Sequence, residues 1–368
     1  MEKTRQFKYD ELGNIIEKID QEGNSEKYEY DVLGNMTKYT DRNGNVTTYQ
    51  YNAKSELIEV TEPNENKTTY EYDANGNLTK KKNAKDDSIT YEYDAQNNET
   101  KEIDALLQPE VKTYNQRDEL QTLTTRNGDT IEYTYDNVGR VIQEKCGNEV
   151  IQYEYDNNSN LTKTILNGNV QSVREYDALN RVTVRKEYRD NEEYQFTYSY
   201  DITEGVEAGL HKETTTDSFN DTVTTIYDKA NRKWQIIQNN KTTQYEYYAD
   251  GTLKSITYPN GTIEEYTYYP DKSLKKLINK KTDGTEISRY EYQYDGNNNI
   301  VKKIDSNGET SYTYNNLNML LTAVNTQIGK AVSYEYDAVG NRTKETITTI
   351  AGNNVIEYTY NEKKSISK

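Results

Sequence analysis

Apolar and polar positions alternate along most of this chain, and the alternation assigns its elements. In residues 45–52, Asn-Val-Thr-Thr-Tyr-Gln-Tyr-Asn, Thr47, Tyr49 and Tyr51 share one face while Val46, Thr48 and Gln50 share the other. A period of two is the strand period, and Val, Thr and Tyr are strand formers. Such runs end in turn chemistry. Residues 70–78 read Tyr-Glu-Tyr-Asp-Ala-Asn-Gly-Asn-Leu, and close variants stand at 28–36, 133–141 and 334–342. An Asp at the turn start accepts backbone N–H bonds, and a Gly supplies the positive φ of a tight hairpin. A second turn signal follows about ten residues on: Asp31-Val-Leu-Gly34-Asn35 is succeeded by Asp41-Arg-Asn-Gly44-Asn45. The strands between are then about five to seven residues long, a normal length. Just after the signature turn the apolar residues stand three apart, as in Leu57 with Val60, Leu120 with Leu123 and Leu253 with Ile256. That break in alternation predicts a β-bulge.

The tyrosine before the turn can be followed along the whole chain. It falls at Tyr9, Tyr30, Tyr51, Tyr72, Tyr93, Tyr114 and Tyr135, in steps of 21, then at Tyr155, Tyr176, Tyr200, Tyr227, Tyr247, Tyr268, Tyr294, Tyr314, Tyr336 and Tyr360. A fixed period of this size marks a repeat architecture. The expected fold is all-β: about seventeen antiparallel hairpins, roughly 34 strands, in one continuous array over residues 1–368 with no helix of note. The long steps from Tyr200 to Tyr227 and from Tyr268 to Tyr294 predict inserted loops near 202–222 and 272–289, the first holding His211.

Composition narrows the partners. The 368 residues are 32% hydrophobic and 29% charged, yet 37 of them are tyrosine against 3 Phe and 1 Trp. A mean hydropathy of −1.13 would suit a disordered chain, but disordered chains are poor in aromatics, so the tyrosines must organise structure. A net charge of −17 argues against nucleic acid. No apolar run is long enough to span a membrane. No apolar signal segment stands ahead of Phe7, so a secretion signal, if used, would lie outside these residues.

Tyr-x-Tyr-Asp-x-x-Gly-Asn-Leu at about 20-residue spacing resembles the YD repeat of Rhs proteins, Tc-toxin C components, bacterial wall-associated proteins and teneurins. The resemblance runs from about Phe7 to Asn361. Its signature maps onto Tyr30, Asp31, Gly34 and Asn35; onto Tyr72, Asp73, Gly76 and Asn77; onto Tyr135, Asp136 and Gly139; and onto Tyr336, Asp337, Gly340 and Asn341. It implies a curved or spiralling single-sheet β-shell that, in bacterial members, encloses a toxic C-terminal payload. The sequence departs from the family in lacking the Pro-x-x-x-x-Asp-Pro-x-Gly release pattern; its prolines are Pro63, Pro109, Pro259 and Pro270. Asn52, Asn115, Asn315 and Asn361 replace the turn Asp and keep an acceptor, whereas Tyr248 and Tyr269 do not, which puts those two turns in question.

Candidate chemistry is sparse. With His211 and Cys146 the lone residues of their types, a nucleophilic relay would have to pass through one of them. Asp41–Asn45 and Asp305–Glu309 look like the start of a calcium loop but lack its downstream Glu and flanking helices. The expectation is therefore a non-catalytic wall segment without cofactor or metal, secreted or on a bacterial surface. Its partners would be the rest of a longer shell and an enclosed toxin domain. The alternative is an adhesion module binding carbohydrate or another cell-surface partner through the aromatic sheet. About 34 strands at about 4.8 Å make a sheet too short to seal a container. An open sheet with unpaired edges, inviting end-to-end self-association, is the expected form.

Overall fold

The computed structural model describes residues 4–190, 192–202 and 210–360. Among them 33 strands, from β1 (Gln6–Tyr9) to β33 (Gly352–Glu357), belong to one antiparallel sheet, and none of these residues is helical. By contacts the chain clusters into two compact units. The larger holds Met1–Pro109, Glu265–Lys280 and Thr285–Lys368; the smaller holds Glu110–Glu264 and Lys281–Gly284. Within each, every strand pairs with the next in sequence, as β3 (Ser25–Tyr30) with β4 (Met36–Thr40) and β13 (Thr130–Tyr135) with β14 (Val141–Cys146). β1 pairs with β2 (Ile15–Ile19), and β33 with β32 (Arg342–Thr349), so the sheet does not close on itself.

The signature turn is a three-residue loop. Asp31 N–H donates to the Asn35 carbonyl at 2.9 Å, and Gly34 N–H to the Asp31 carbonyl at 3.0 Å. Gly34 takes φ 85°, the left-handed conformation that lets three residues reverse the chain with the right twist. Where Gly is absent, short polar residues that tolerate this region often stand there, as Ser55, Asn97 and Asn180 do.

The expected bulge is present and restores the face pattern. Tyr51 lies opposite Leu57 while Gln50 lies opposite Glu59, so Ile58 is the extra residue. Val60 then faces Tyr49. The same shift follows Glu29, Glu71, Thr134 and Glu246. Three-residue spacing in the sequence is thus two-residue spacing in space.

There is almost no dry interior: among the described residues Ile226 is the one buried hydrophobic side chain. Strand positions are mostly half-buried on both faces, as expected of a sheet with no second layer. Tyrosine suits such a surface, offering a large ring to its neighbours and a hydroxyl to a polar partner.

Two expectations need correction. In the stretch 202–222, residues 203–209 lie outside the described set, but His211–Thr216 is strand β20, pairing with β19 (Glu192–Ile202) through Ile202↔His211. His211 is therefore in the sheet, because Thr214–Thr216 are strand formers that extend the hairpin. Likewise 272–289 is mostly strand, β26 (Leu274–Lys280) and the first part of the nine-residue β27 (Glu286–Tyr294). The extra residues lengthen a hairpin.

Candidate functional site

The chemistry that repeats in every hairpin is the turn and its tyrosine. Asp31 Oδ1 accepts N–H bonds from Leu33 and Asn35, both at 2.9 Å, and its Oδ2 accepts the Asn35 side-chain amide. Asp73 makes the same three bonds with Asn75 and Asn77. The Asn35 and Asn77 amides, with the backbone N–H groups, hold these carboxyls below the usual range. At Asp136 the Arg140 N–H leads, followed by the Arg140 side chain. Asp337 is pushed up by burial, yet Lys85, Asn341 and the turn N–H groups outweigh it and its pKa falls. Gly76, Gly139 and Gly340 all take positive φ.

The two turns that lack an acceptor at their start nevertheless close. Tyr248 N–H reaches the Thr252 carbonyl at 2.9 Å, and Tyr269 N–H the Ser273 carbonyl at 2.9 Å. The acceptor has moved two residues on: Asp250 Oδ1 takes the Thr252 N–H at 3.0 Å, and Asp271 Oδ1 takes the Ser273 N–H at 2.9 Å. Asn361, the last substituted position, lies outside the described residues.

The signature tyrosine ties one hairpin to the one before. Tyr30 donates its hydroxyl to the Ile15 carbonyl at 3.0 Å, Tyr72 to Leu57 at 2.9 Å, Tyr135 to Leu120 at 2.8 Å and Tyr336 to Leu320 at 2.7 Å. In each case the acceptor belongs to the first strand residue after the preceding signature turn, beside the bulge. The same bond recurs at Tyr51, Tyr93, Tyr176, Tyr294 and Tyr314. Burial pushes the Tyr72 and Tyr135 phenols up, as it does those of Tyr51, Tyr294 and Tyr314.

The residue after the turn glycine adds a second tie. Asn77 Nδ2 reaches Asn97 Oδ1 of the next turn at 2.8 Å, and Asn160 reaches Asn180 equally at 2.8 Å. In the smaller unit Arg often takes this place. Arg140, Arg181 and Arg232 each bond their own turn Asp and lay the guanidinium over the next signature ring, 4.7, 4.3 and 4.3 Å from the centroids of Tyr155, Tyr200 and Tyr247.

Within the larger unit, turns far apart in sequence meet along a seam. Asn297 Nδ2 donates to Asp41 Oδ2 at 2.6 Å and Asn297 Oδ1 accepts the Arg42 N–H at 3.0 Å. Asn43 Nδ2 reaches Asp295 at 3.0 Å, Asn316 the Pro63 carbonyl at 2.7 Å and Lys85 Nζ the Asp337 carboxylate at 2.7 Å. On one side are the second turns of early hairpins; on the other are signature turns of late ones. A Cβ on Gly296 would stand 2.8 Å from the Arg42 carbonyl oxygen, so only Gly permits this approach.

No catalytic arrangement emerges at the residues considered for one. His211 Nε2 lies 3.2 Å from Glu213 Oε1 and its ring 5.3 Å from that of Tyr227, whose hydroxyl bonds the same carboxylate. Cys146 ends β14 opposite Glu149. Asp41 spends both oxygens on Asn43, Asn45 and Asn297, and Asp305 is paired with Lys303 at 2.8 Å. Among the described residues no group of three or more His, Cys, Asp or Glu could hold a metal ion.

The family described as Teneurin YD-shell matches residues 56–232, and the RHS repeat matches 9–46 and 34–67. This chain belongs to the YD-repeat family. Among solved structures it is similar to a chain of the TcdB2-TccC3-Cdc42 crystal structure, at 16% identity over 96% of its length with a TM-score of 0.80. A chain of the Photorhabdus luminescens Tc holotoxin pore gives 16% identity over 97% and a TM-score of 0.79. The YD-repeat chain spans only 22% of the length of either neighbour, and at this identity the likeness is one of fold. Nothing among the curated proteins matches.

Proposed function

We propose that this YD-repeat chain is a non-catalytic wall segment of a toxin shell, one that encloses a C-terminal toxin domain. The observation that carries the reading is the tie system. Tyrosine hydroxyls join hairpin to preceding hairpin along the array, as at Tyr30, Tyr72, Tyr135, Tyr176, Tyr294 and Tyr336, and the seam joins turns about 250 residues apart, as in Asn43 with Asp295. A wall needs such joints at every unit, whereas an active site needs a unique cluster of groups. The likeness to chains of Tc-toxin structures supports the toxin context and, with it, a secreted or surface-delivered protein without cofactor or nucleic-acid partner. The test is the complete polypeptide that contains this segment. A further domain should resist protease until the wall is cut or opened. A reading frame without such a domain, or one digested at once, would refute enclosure.

A second reading, carbohydrate binding, has one observation in its favour. A cleft of about 570 Å³ in the larger unit is lined by Tyr39, Tyr49, Arg42, Asn45, Asn297 and Asn316, rings and amides of the kind that grip sugars. A glycan array probed with the chain and with Tyr49→Ala separates the two. Binding lost in the variant supports adhesion; no binding leaves the wall reading alone.

A further inference from the structure

One carboxylate beside the seam is released from the role its equivalents play. In the second turns of the early hairpins the opening residue accepts two backbone N–H bonds through its Oδ1, as Asp20, Asp41 and Asn83 do. Glu62 opens the turn between those of Asp41 and Asn83, and its longer side chain gives up that role. The Asn66 N–H goes instead to Asn64 Oδ1 at 3.1 Å. Glu62 lines two cavities, the cleft of about 570 Å³ on one side and a smaller one of about 370 Å³ on the other. The residue is half-buried, and among the described residues no hydrogen bond or ion pair engages its carboxylate. Burial pushes its pKa up with no partner to oppose the shift. A charge withdrawn from water without a partner is costly, so a ligand that paired with it would gain by relieving the cost.

The rest of the lining is rich in acceptors and short of free donors. Arg42, the cation in the larger cavity, is committed to Glu26 at 2.9 Å and Asp20 at 3.4 Å. Asn45 gives its Nδ2 to Asp41 and Asn316 gives its own to the Pro63 carbonyl, which leaves their Oδ1 atoms as acceptors. Lys81, in the lining of the smaller cavity, lies 6.0 Å from the centroid of the Tyr70 ring and makes no ion pair with Glu62. Two rings, Tyr39 and Tyr49, complete the larger cavity. We propose that this cleft binds a saccharide carrying a free amino group, with Glu62 as counter-ion to its ammonium and the tyrosine rings against the sugar faces, an assignment that rests on the carbohydrate reading of the same cleft. An ammonium brings three donors and the charge that Glu62 lacks, and sugar hydroxyls supply donors for the asparagine oxygens. Acidic sugars would meet Glu62 with like charge. A lysine side chain would match Glu62 and the rings, but brings no hydroxyls for Asn45 and Asn316.

Calorimetric titration of the full chain with a β-1,4-linked glucosamine tetramer, its N-acetylated counterpart and tetralysine tests the proposal. The amino tetramer should bind about tenfold or more tighter than the N-acetylated one. Glu62→Gln should bring that ratio to about one, while Tyr49→Ala weakens both. Glu62→Gln should also melt no lower than the parent, since it removes an unpaired half-buried charge, so its binding defect cannot be laid to misfolding. Equal binding of the two tetramers would overturn the ammonium site and leave the carbohydrate reading standing; binding of neither would overturn both. An amino tetramer that binds Glu62→Gln as well as the parent would also overturn the proposal, marking diffuse attraction to a chain of net charge −17. So would tetralysine binding as tightly as the amino tetramer, which would assign the cleft to a basic peptide.

Discussion

Replacing Tyr72 by phenylalanine removes one hydroxyl and nothing else, which isolates the tie between consecutive hairpins. The lost bond is 2.9 Å long and half-buried, and it leaves the Leu57 carbonyl without that donor. A neutral hydrogen bond of this kind contributes about 1 kcal/mol net. In a repeat array each unit leans chiefly on its neighbours, so the cost should appear locally. About 1 kcal/mol of lost protection means amide exchange about fivefold faster in the strands around residues 57–72, read by hydrogen-exchange mass spectrometry. Peptides several hairpins away should be unchanged. Tyr194→Phe is the control, since this strand tyrosine is exposed to solvent. Combining Tyr51→Phe, Tyr72→Phe and Tyr93→Phe should cost about 3 kcal/mol and lower the urea midpoint. If the triple variant exchanges and unfolds like the parent, the hydroxyl ties are incidental and the rings alone hold the wall.

Gly296→Val should open the seam, since the new side chain would overlap the Arg42 carbonyl; a cost of about 1–3 kcal/mol is expected, with faster exchange at 41–45 and 295–299. Stability should be flat near neutrality and fall on both sides. Carboxyls lowered from 3.8, such as Asp20, Asp31 and Asp337, stabilise the fold above that value and lose their contribution as pH falls through their folded values. Tyrosines raised from 10.0, such as Tyr49, Tyr70 and Tyr294, contribute fully below pH 10 and less above it, because the unfolded chain ionises first. Tyrosinate absorbance and circular dichroism should therefore change together in an alkaline titration; ionisation well before unfolding would contradict this. His211→Ala should cost under about 1 kcal/mol, measured by thermal melting, since it removes a half-buried strand side chain and leaves the ladder intact.

The strands, both families of turn and the bulge were legible because each is written within a few residues: alternation, Asp-x-x-Gly, and the spacing of Leu57 and Val60. The relocated acceptors at Asp250 and Asp271 were also there to be read, two residues after the tyrosines that had lost the role. The hydroxyl ties were harder, because a carbonyl acceptor leaves no mark on residue type. Partners across the seam were not legible at all. When every turn resembles every other, no local pattern says which pair will meet. Gly296 was the one clue, a residue without a side chain at a tip where other repeats carry Val, Ala, Asn or Glu. His211 was misplaced because its polar surroundings read as loop, although Thr214–Thr216 favour a strand.

A sheet with a single buried hydrophobic side chain among its described residues has a thermal consequence. The heat-capacity change of unfolding rises with the apolar surface exposed and falls with the polar surface exposed. Half-buried tyrosines, threonines and charged residues make the first contribution small and the second large. The increment per residue should therefore fall below the usual figure of about 12–15 cal/mol/K. A small heat-capacity change flattens the curve of stability against temperature. Cold should weaken this wall little, and warming should erode it gradually until the conformational entropy of many short hairpins prevails.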